Sequence, residues 1–296
     1  MNCRAILIGH VDHGKSTLGG HILLNSGSLE EDEWRKIQLS VEKDNILRQK
    51  YSAILDIDDS EREKGKTSDF IERSFTYKDK NYTLIDTPGH KQFVRSMVNG
   101  ATAGRIDVAI CILSVKTGEF ESGLKGQTLE HLTILRGLGL KQLICVLNKI
   151  DLLEEDSKKK RLDEIQDTMN KELKKLGYKN YKYINVSAWS GQGIDDLLNT
   201  LSSMSITPDP QIIKNDDKLT FKGIFLNKKL KTVGFKCILH TMGETVETEI
   251  SSILDNKKFI LDGNATIELL LEKKINIGKN IILRNSDETI AIGINL

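Results

Sequence analysis

Gly9-His10-Val11-Asp12-His13-Gly14-Lys15-Ser16-Thr17 decides how this chain is read. The stretch fits G-x-x-x-x-G-K-[ST], a loop whose backbone N–H groups cradle nucleotide phosphates. Ala5-Ile6-Leu7-Ile8 ahead of it is the short apolar run of a buried parallel strand, and Thr17 to Asn25 behind it can continue as a helix. Lys15 is then expected to reach the β- and γ-phosphates and the Ser16 hydroxyl to bind Mg²⁺. The N-terminus of the helix adds a positive field beneath the anion.

Downstream, Trp34, Ile37, Val41, Leu47, Tyr51 and Ile54 fall mostly at three- and four-residue steps, which predicts an amphipathic helical excursion over 30–54. The polar run Glu61-Arg62-Glu63-Lys64-Gly65-Lys66-Thr67 follows, and Thr67 is placed to close over Mg²⁺ and a γ-phosphate. A hairpin is expected from 68–77 and 82–85, turning at Lys78-Asp79-Lys80-Asn81. Its second strand ends in Asp86-Thr87-Pro88-Gly89-His90. An aspartate at a strand end is what a second Mg²⁺-holding element needs, so Asp86 takes that role and Gly89 offers its N–H to the γ-phosphate.

Two more apolar runs, 106–113 and 143–147, read as strands, and the second leads directly into Asn148-Lys149-Ile150-Asp151. These residues form a guanine pocket. Asp151 accepts from the base N1 and its exocyclic amine, which adenine cannot offer, and the Lys149 stem lies along the base plane. A charged helix over 156–176 carries Lys158-Lys159-Lys160-Arg161, read as a solvated face. A strand at 183–186 ends in Ser187-Ala188-Trp189, whose backbone is positioned to touch the guanine O6, and 193–201 closes the domain as a helix. Alternating strands and helices with ligand loops at strand C-termini predict an α/β fold, a doubly wound P-loop domain over 1–203.

Size and charge fit that division. The 296 residues suffice for two domains with real cores. The 43 basic and 42 acidic residues nearly cancel, with 13 and 12 of them in 204–296, so neither part projects a bulk field onto nucleic acid. Four scattered cysteines without a C-x-x-C pair, histidines without metal-ligand spacing and no signal-peptide pattern point to a reducing, cytoplasmic setting. No apolar stretch approaches the roughly 20 residues that a membrane helix needs, so no membrane partner is expected.

With the phosphate loop, Asp-Thr-Pro-Gly-His and Asn-Lys-x-Asp aligned, the chain resembles a translational GTPase. Within that family it is similar to the branch of elongation factor 1-alpha, the eukaryotic release-factor GTPase and the rescue GTPase that partners Pelota. Gly118-Glu119-Phe120-Glu121-Ser122-Gly123 with Gly126-Gln127-Thr128-x-Glu130-His131 carries the branch signature. Lys64-Gly65-Lys66-Thr67 is similar to the release-factor GTPase, since elongation factors usually place an apolar residue before the threonine. The resemblance implies that His90 orients the attacking water, with Val11 as an apolar wall beside it.

The family's nucleotide domain is followed by two β-barrels, but 93 residues remain after 203. They hold a linker over 204–218 and one small antiparallel barrel over 219–296, where period-two alternation is clear (Val233, Phe235, Cys237, Leu239; Ala265, Ile267, Leu269, Leu271; Ile290, Ile292, Ile294). Phe221, His240 and 282–293 resemble the last barrel, so the middle one is missing. The expected function is therefore GTP hydrolysis with the ribosome in termination or rescue, bound to GTP or GDP and Mg²⁺. The barrel would hold a release-factor-like or Pelota-like protein. Aminoacyl-tRNA delivery is the runner-up, and a GTP-dependent binding module without useful turnover is the third reading.

Overall fold

The computed structural model describes residues 2–43, 51, 54–55, 71–87, 106–204, 213–226, 229–241, 244–278, 280–285 and 288–296. The chain falls into two compact units, one containing the sheet below and the other the barrel strands together with Thr133–Leu140.

The first unit is built on a six-stranded sheet. Its strands are β1 (Asn2–Gly9), β2 (Ile71–Tyr77), β3 (Lys80–Asp86), β4 (Val108–Ser114), β5 (Gln142–Asn148) and β6 (Asn180–Val186), in the order β2-β3-β1-β4-β5-β6. All neighbours pair in parallel except β2, which returns antiparallel on β3. The hairpin between them is tighter than its sequence suggests. Only Lys78 and Asp79 form the turn, both at positive φ (49° and 60°), the geometry that matches the right-handed twist of the flanking strands. Val108-Ala-Ile-Cys-Ile-Leu-Ser114 and Gln142-Leu-Ile-Cys-Val-Leu-Asn148 are buried at every position, because helices cover both faces of a parallel sheet.

The described helices are α1 (Lys15–Asn25), α2 (Glu31–Lys43), α3 (Glu119–Gly123), α4 (Leu129–Gly137, grouped from Thr133 on with the second unit), α5 (Glu155–Lys175) and α6 (Ile194–Ser202). A π-helical turn, Leu124–Thr128, joins α3 to α4. α1 and α6 pack with Leu7, Leu84, Ile110 and Ile144 into one core, and each fully buried aliphatic side chain there contributes roughly 1.5–3 kcal/mol. Cys3, Cys111 and Cys145 are buried free thiols in this unit, and Cys237 is a buried free thiol in the barrel core.

The barrel strands are β7 (Ile213–Phe225), β8 (Lys236–Thr241), β9 (Glu244–Ile253), β10 (Gly263–Ile277), β11 (Asn280–Arg284) and β12 (Thr289–Asn295), closed in the order β10-β7-β12-β11-β8-β9 with every pairing antiparallel. β7 begins at Ile213, inside the stretch read from sequence as linker. Its interior is filled by Phe221, Phe225, Leu239, Ile267, Leu269, Ile281 and Leu283 among others. Closure leaves no free strand edge along the barrel.

Candidate functional site

The loops after β1, β3, β4, β5 and β6 all leave the same edge of the sheet, because those strands run in parallel. At the first of them, Gly9 stands at φ 147°, where a Cβ would strike the Ile112 carbonyl oxygen of β4. Gly14 caps α1 in the left-handed region, φ 88°, and a Cβ there would strike the Asn148 amide. The two glycines let the loop of 9–17 lie against the ends of two other strands. The start of α1 then presents unpaired main-chain N–H groups, as a helix N-terminus does.

Lys15 is buried at the head of α1 and its Nζ donates to the His10 carbonyl at 2.8 Å. Burial lowers its pKa, countered by the nearby Asp86 and Asp12 carboxylates. Ser16 Oγ donates to Asp86 Oδ2 at 2.8 Å, which joins the two residues expected at Mg²⁺ across 70 positions of sequence. A hydroxyl and a carboxylate are the hard oxygen donors that Mg²⁺ takes alongside water and substrate phosphate, so the pair fits that ion. Thr87 Oγ1 donates to Leu7 O at 2.6 Å and pins the end of β3 to β1. Thr67, Gly89 and His90 lie outside the described residues. Val11 and Asp12 sit exposed on the loop, Asp12 at φ 62°, and Thr17 follows Ser16 in the first turn of α1.

At the end of β5, one side chain links three loops. Asn148 Nδ2 donates to His13 O at 2.8 Å, and Asn148 Oδ1 accepts from Ala188 N at 2.9 Å. Ser187 is fully buried, and its oxygen accepts from Ser190 N at 3.1 Å, which tightens the turn that carries Ala188 and Trp189. Trp189 and Asp151 are exposed. Lys149 stands in the left-handed region, φ 70°, at the start of a short 3₁₀ turn, Ile150–Leu152.

The His13 ring faces two carbonyls, with Nδ1 3.1 Å from Ile112 O and Nε2 3.1 Å from Glu119 O. Burial lowers its pKa, so the ring is neutral near pH 7 and donates to one carbonyl at a time. His10 Nδ1 faces the Gln127 side-chain oxygen in the π-helical turn.

The structure adds residues that the motifs did not assign. His21 on α1 uses Nδ1 to reach the Ala188 carbonyl at 2.7 Å, and its ring stacks on Tyr51 with centroids 3.8 Å apart. Trp34 of α2 stacks on the same Tyr51, with centroids 5.9 Å apart. Arg161, read as part of a solvated charge run, instead folds back on the loop after β4. Its Nε donates to Val115 O and its guanidinium pairs with Glu121, both at 2.9 Å. Glu119, the first residue of α3 directly after that loop, accepts hydrogen bonds from Lys149, Lys116 and Ser114. Burial opposes its ionisation, but those three hydrogen bonds outweigh it and hold the carboxyl down to about 2. The legible signal was position: Glu119 follows the C-terminal end of β4 just as the motif residues follow the other strands.

Residues 2–207 match the family described as "Elongation factor Tu GTP binding domain". Among curated proteins, the chain is 37% identical over 230 residues to elongation factor 1-alpha of Desulfurococcus mucosus, covering 76% of this chain and 51% of that one. It is 40% identical over 193 residues to elongation factor 1-alpha of Hyperthermus butylicus, covering 64% and 43%. The chain thus spans about half the length of the curated relatives it matches. Among solved structures, the Ski7 GTPase-like domain of S. cerevisiae, bound to GDP and inorganic phosphate, superposes with a TM-score of 0.80 at 15% identity, covering 100% of this chain and 97% of that one. A bacterial selenocysteine-specific elongation factor gives 0.68 at 15% identity, covering 99% and 58%. Those two likenesses concern the fold. With the matching motifs and sheet, the family match over 2–207 places the chain in the elongation factor Tu GTP-binding domain family.

Proposed function

We propose that the chain binds GTP and GDP with Mg²⁺ and hydrolyses GTP as a translation factor in the cytoplasm. The observation that carries this reading is the Asn148 side chain. It bridges His13 of the phosphate loop and Ala188 of the base loop, while Ser16 and Asp86 meet at the other end. In this reading the backbone of 9–14, Lys15 and Thr17 line the phosphates, and Ser16, Asp86 and Thr67 would hold Mg²⁺, which would supply positive charge to the phosphate oxygens. Gly89 donates to the γ-phosphate. Lys149, Asp151 and the Ser187-Ala188-Trp189 backbone hold guanine, and His90 orients the attacking water. The GTPase-like domain of Ski7 has been seen with GTP and with GDP plus inorganic phosphate, which supports a pocket of this shape for such ligands.

Within translation the proposed role is termination or ribosome rescue, with the barrel holding a release-factor-like or Pelota-like protein. Support comes from Lys66 before Thr67 and from one closed barrel among the described residues. Delivery of aminoacyl-tRNA is a second reading, favoured by the elongation factor 1-alpha relatives. Calorimetry against each protein class and against aminoacyl-tRNA, with a GTP analogue and with GDP, separates them. Tight GTP-dependent binding of aminoacyl-tRNA alone sinks the termination reading.

Single-turnover hydrolysis, with and without ribosomes, tests the chemistry. His90→Ala is expected to leave GTP affinity nearly unchanged and to slow hydrolysis by on the order of 100-fold, since the side chain acts mainly in the transition state. Equal rates for wild type and variant would remove His90 from the mechanism.

A further inference from the structure

Glu119 is the residue where the phosphate loop, the end of β4 and the base motif meet. Its Oε2 accepts from Lys149 Nζ at 2.6 Å and from Ser114 Oγ at 2.8 Å, and its Oε1 accepts from Lys116 Nζ at 2.9 Å. Its own carbonyl oxygen lies 3.1 Å from His13 Nε2. Ser114 is fully buried at the last position of β4, so the carboxylate is fixed to the sheet and not only to two flexible lysines.

The segment that carries Glu119 is braced from its far side as well. Arg161 of α5 holds the Val115 carbonyl and the Glu121 carboxylate, and its guanidinium carbon lies 5.7 Å from the Phe120 ring centroid. Glu121 in turn accepts from Gly118 N at 2.6 Å and closes the turn before α3. The acceptor that Lys149 meets is therefore pre-placed.

Lys149 needs such an acceptor. A lysine stem has four rotatable bonds and about 2 kcal/mol of rotamer entropy, so it does not lie flat by itself. The side chains of Lys149 and Glu119 are 24% and 29% exposed, a setting in which an ion pair is screened less than on an open surface.

We propose that Glu119 is a positioning residue for the guanine base. It anchors the Lys149 ammonium so that the stem is held where the base lies, and through His13 it couples that pose to the phosphate loop. The proposal rests on the guanine-nucleotide reading given above and extends it to a residue outside the binding motifs.

The test is a double-mutant cycle on the full chain, read as the dissociation rate and affinity of fluorescent GDP and GTP analogues. Glu119→Gln keeps the shape and removes the charge. It is expected to weaken both nucleotides by about 5- to 30-fold, mainly through faster release, with the melting temperature of the nucleotide-free chain shifting by only about a few degrees. In a Lys149→Ala background the same change is expected to cost less than about 2-fold, because the group it positions is gone. Should Glu119→Gln fail to fold, Ser114→Ala replaces it, with an expected loss of about 2- to 5-fold, absorbed in the same way by Lys149→Ala. Additive losses, or a Glu119→Gln chain that binds like wild type, overturn the positioning role while leaving the nucleotide reading intact. Wild-type protein that binds no guanine nucleotide overturns the nucleotide reading, and the positioning role with it.

Discussion

The central strands of the sheet and β10 of the barrel bury their side chains by different rules. β4 and β5 have no exposed position, so neither face of those strands is open to solvent. β10 alternates: Ala265, Ile267, Leu269 and Leu271 point into the barrel, whereas Leu270 is 42% exposed. A central strand of a parallel sheet has helices on both sides, and a barrel strand has an inside and an outside. The consequence for function is topological. Where no strand face is free, reactive polar side chains collect at strand ends, and Asp86, Ser114, Asn148 and Ser187 all stand there or directly beyond. In β10, outward positions along the strand remain free to vary.

Adjacent substitutions test this difference most sharply. In β4, Ile110→Asn and Cys111→Asn are both expected to cost about 3–5 kcal/mol, since each removes apolar contacts and buries an unsatisfied amide. In β10, Leu269→Asn is expected to cost as much, and Leu270→Asn to stay within about 0.5 kcal/mol. Urea denaturation measures all four. A mild Cys111→Asn would mean that one face of β4 is open after all.

The strand-end chemistry is broken next. Asp151→Asn is expected to lose about 1–3 kcal/mol of GTP affinity, roughly 5- to 150-fold, and to favour a base with a carbonyl at its 2-position, such as xanthine. Competition calorimetry with GTP and XTP reads this directly. A variant that binds GTP like wild type places the guanine pocket elsewhere.

Buried polar groups give a smaller contrast. In the barrel, Thr241 Oγ1 donates to Asn280 O and Thr248 Oγ1 to Leu270 O. In the sheet unit, neither ring nitrogen of the fully buried His131 has a hydrogen-bond partner among the described residues. Burial, reinforced by Lys15 and His10, pushes its pKa down to about 3. The folded ring therefore stays neutral while the unfolded one takes up a proton below about 6.5. Stability is then lost as pH falls from about 6.5 towards 3, by about 1–2 kcal/mol at pH 5. His131→Leu, which abandons no hydrogen bond, is expected to flatten that limb and to cost little at pH 7. An unchanged slope would exclude His131 as its source. Thr248→Val, which leaves the Leu270 carbonyl without its donor, is expected to lower stability by about 1 kcal/mol at every pH.

Much of the site was legible because its backbone demands are met by contiguous residues. Gly14, Lys15 and Ser16 in fixed order mark a candidate phosphate loop, and Asn148-Lys149-x-Asp151 marks a candidate base site. Contacts between distant segments were not legible. Ser16 meets Asp86 across 70 positions, Lys149 meets Glu119 across 30, and His21 meets Ala188 across 167. Arg161 was misread for a related reason. A charge run has no periodicity that marks which member turns inward, and only the loop after β4 decides it.

From the sequence alone come the strands of the sheet, the helices that begin near 15, 156 and 193, and the order and types of the motif residues; the helices Glu119–Gly123 and Leu129–Gly137 and the strand Glu244–Ile253 are not marked in it. The marked features depend on a few neighbouring residues: apolar spacing, positive-φ glycines and the order of functional groups. Tertiary structure decided the order of the strands in the sheet, the closure of the barrel as β10-β7-β12-β11-β8-β9, the start of β7 at Ile213 and the junction at Glu119. Each of these depends on which surfaces meet, and many pairings of the same strands satisfy the same local pattern until packing selects one.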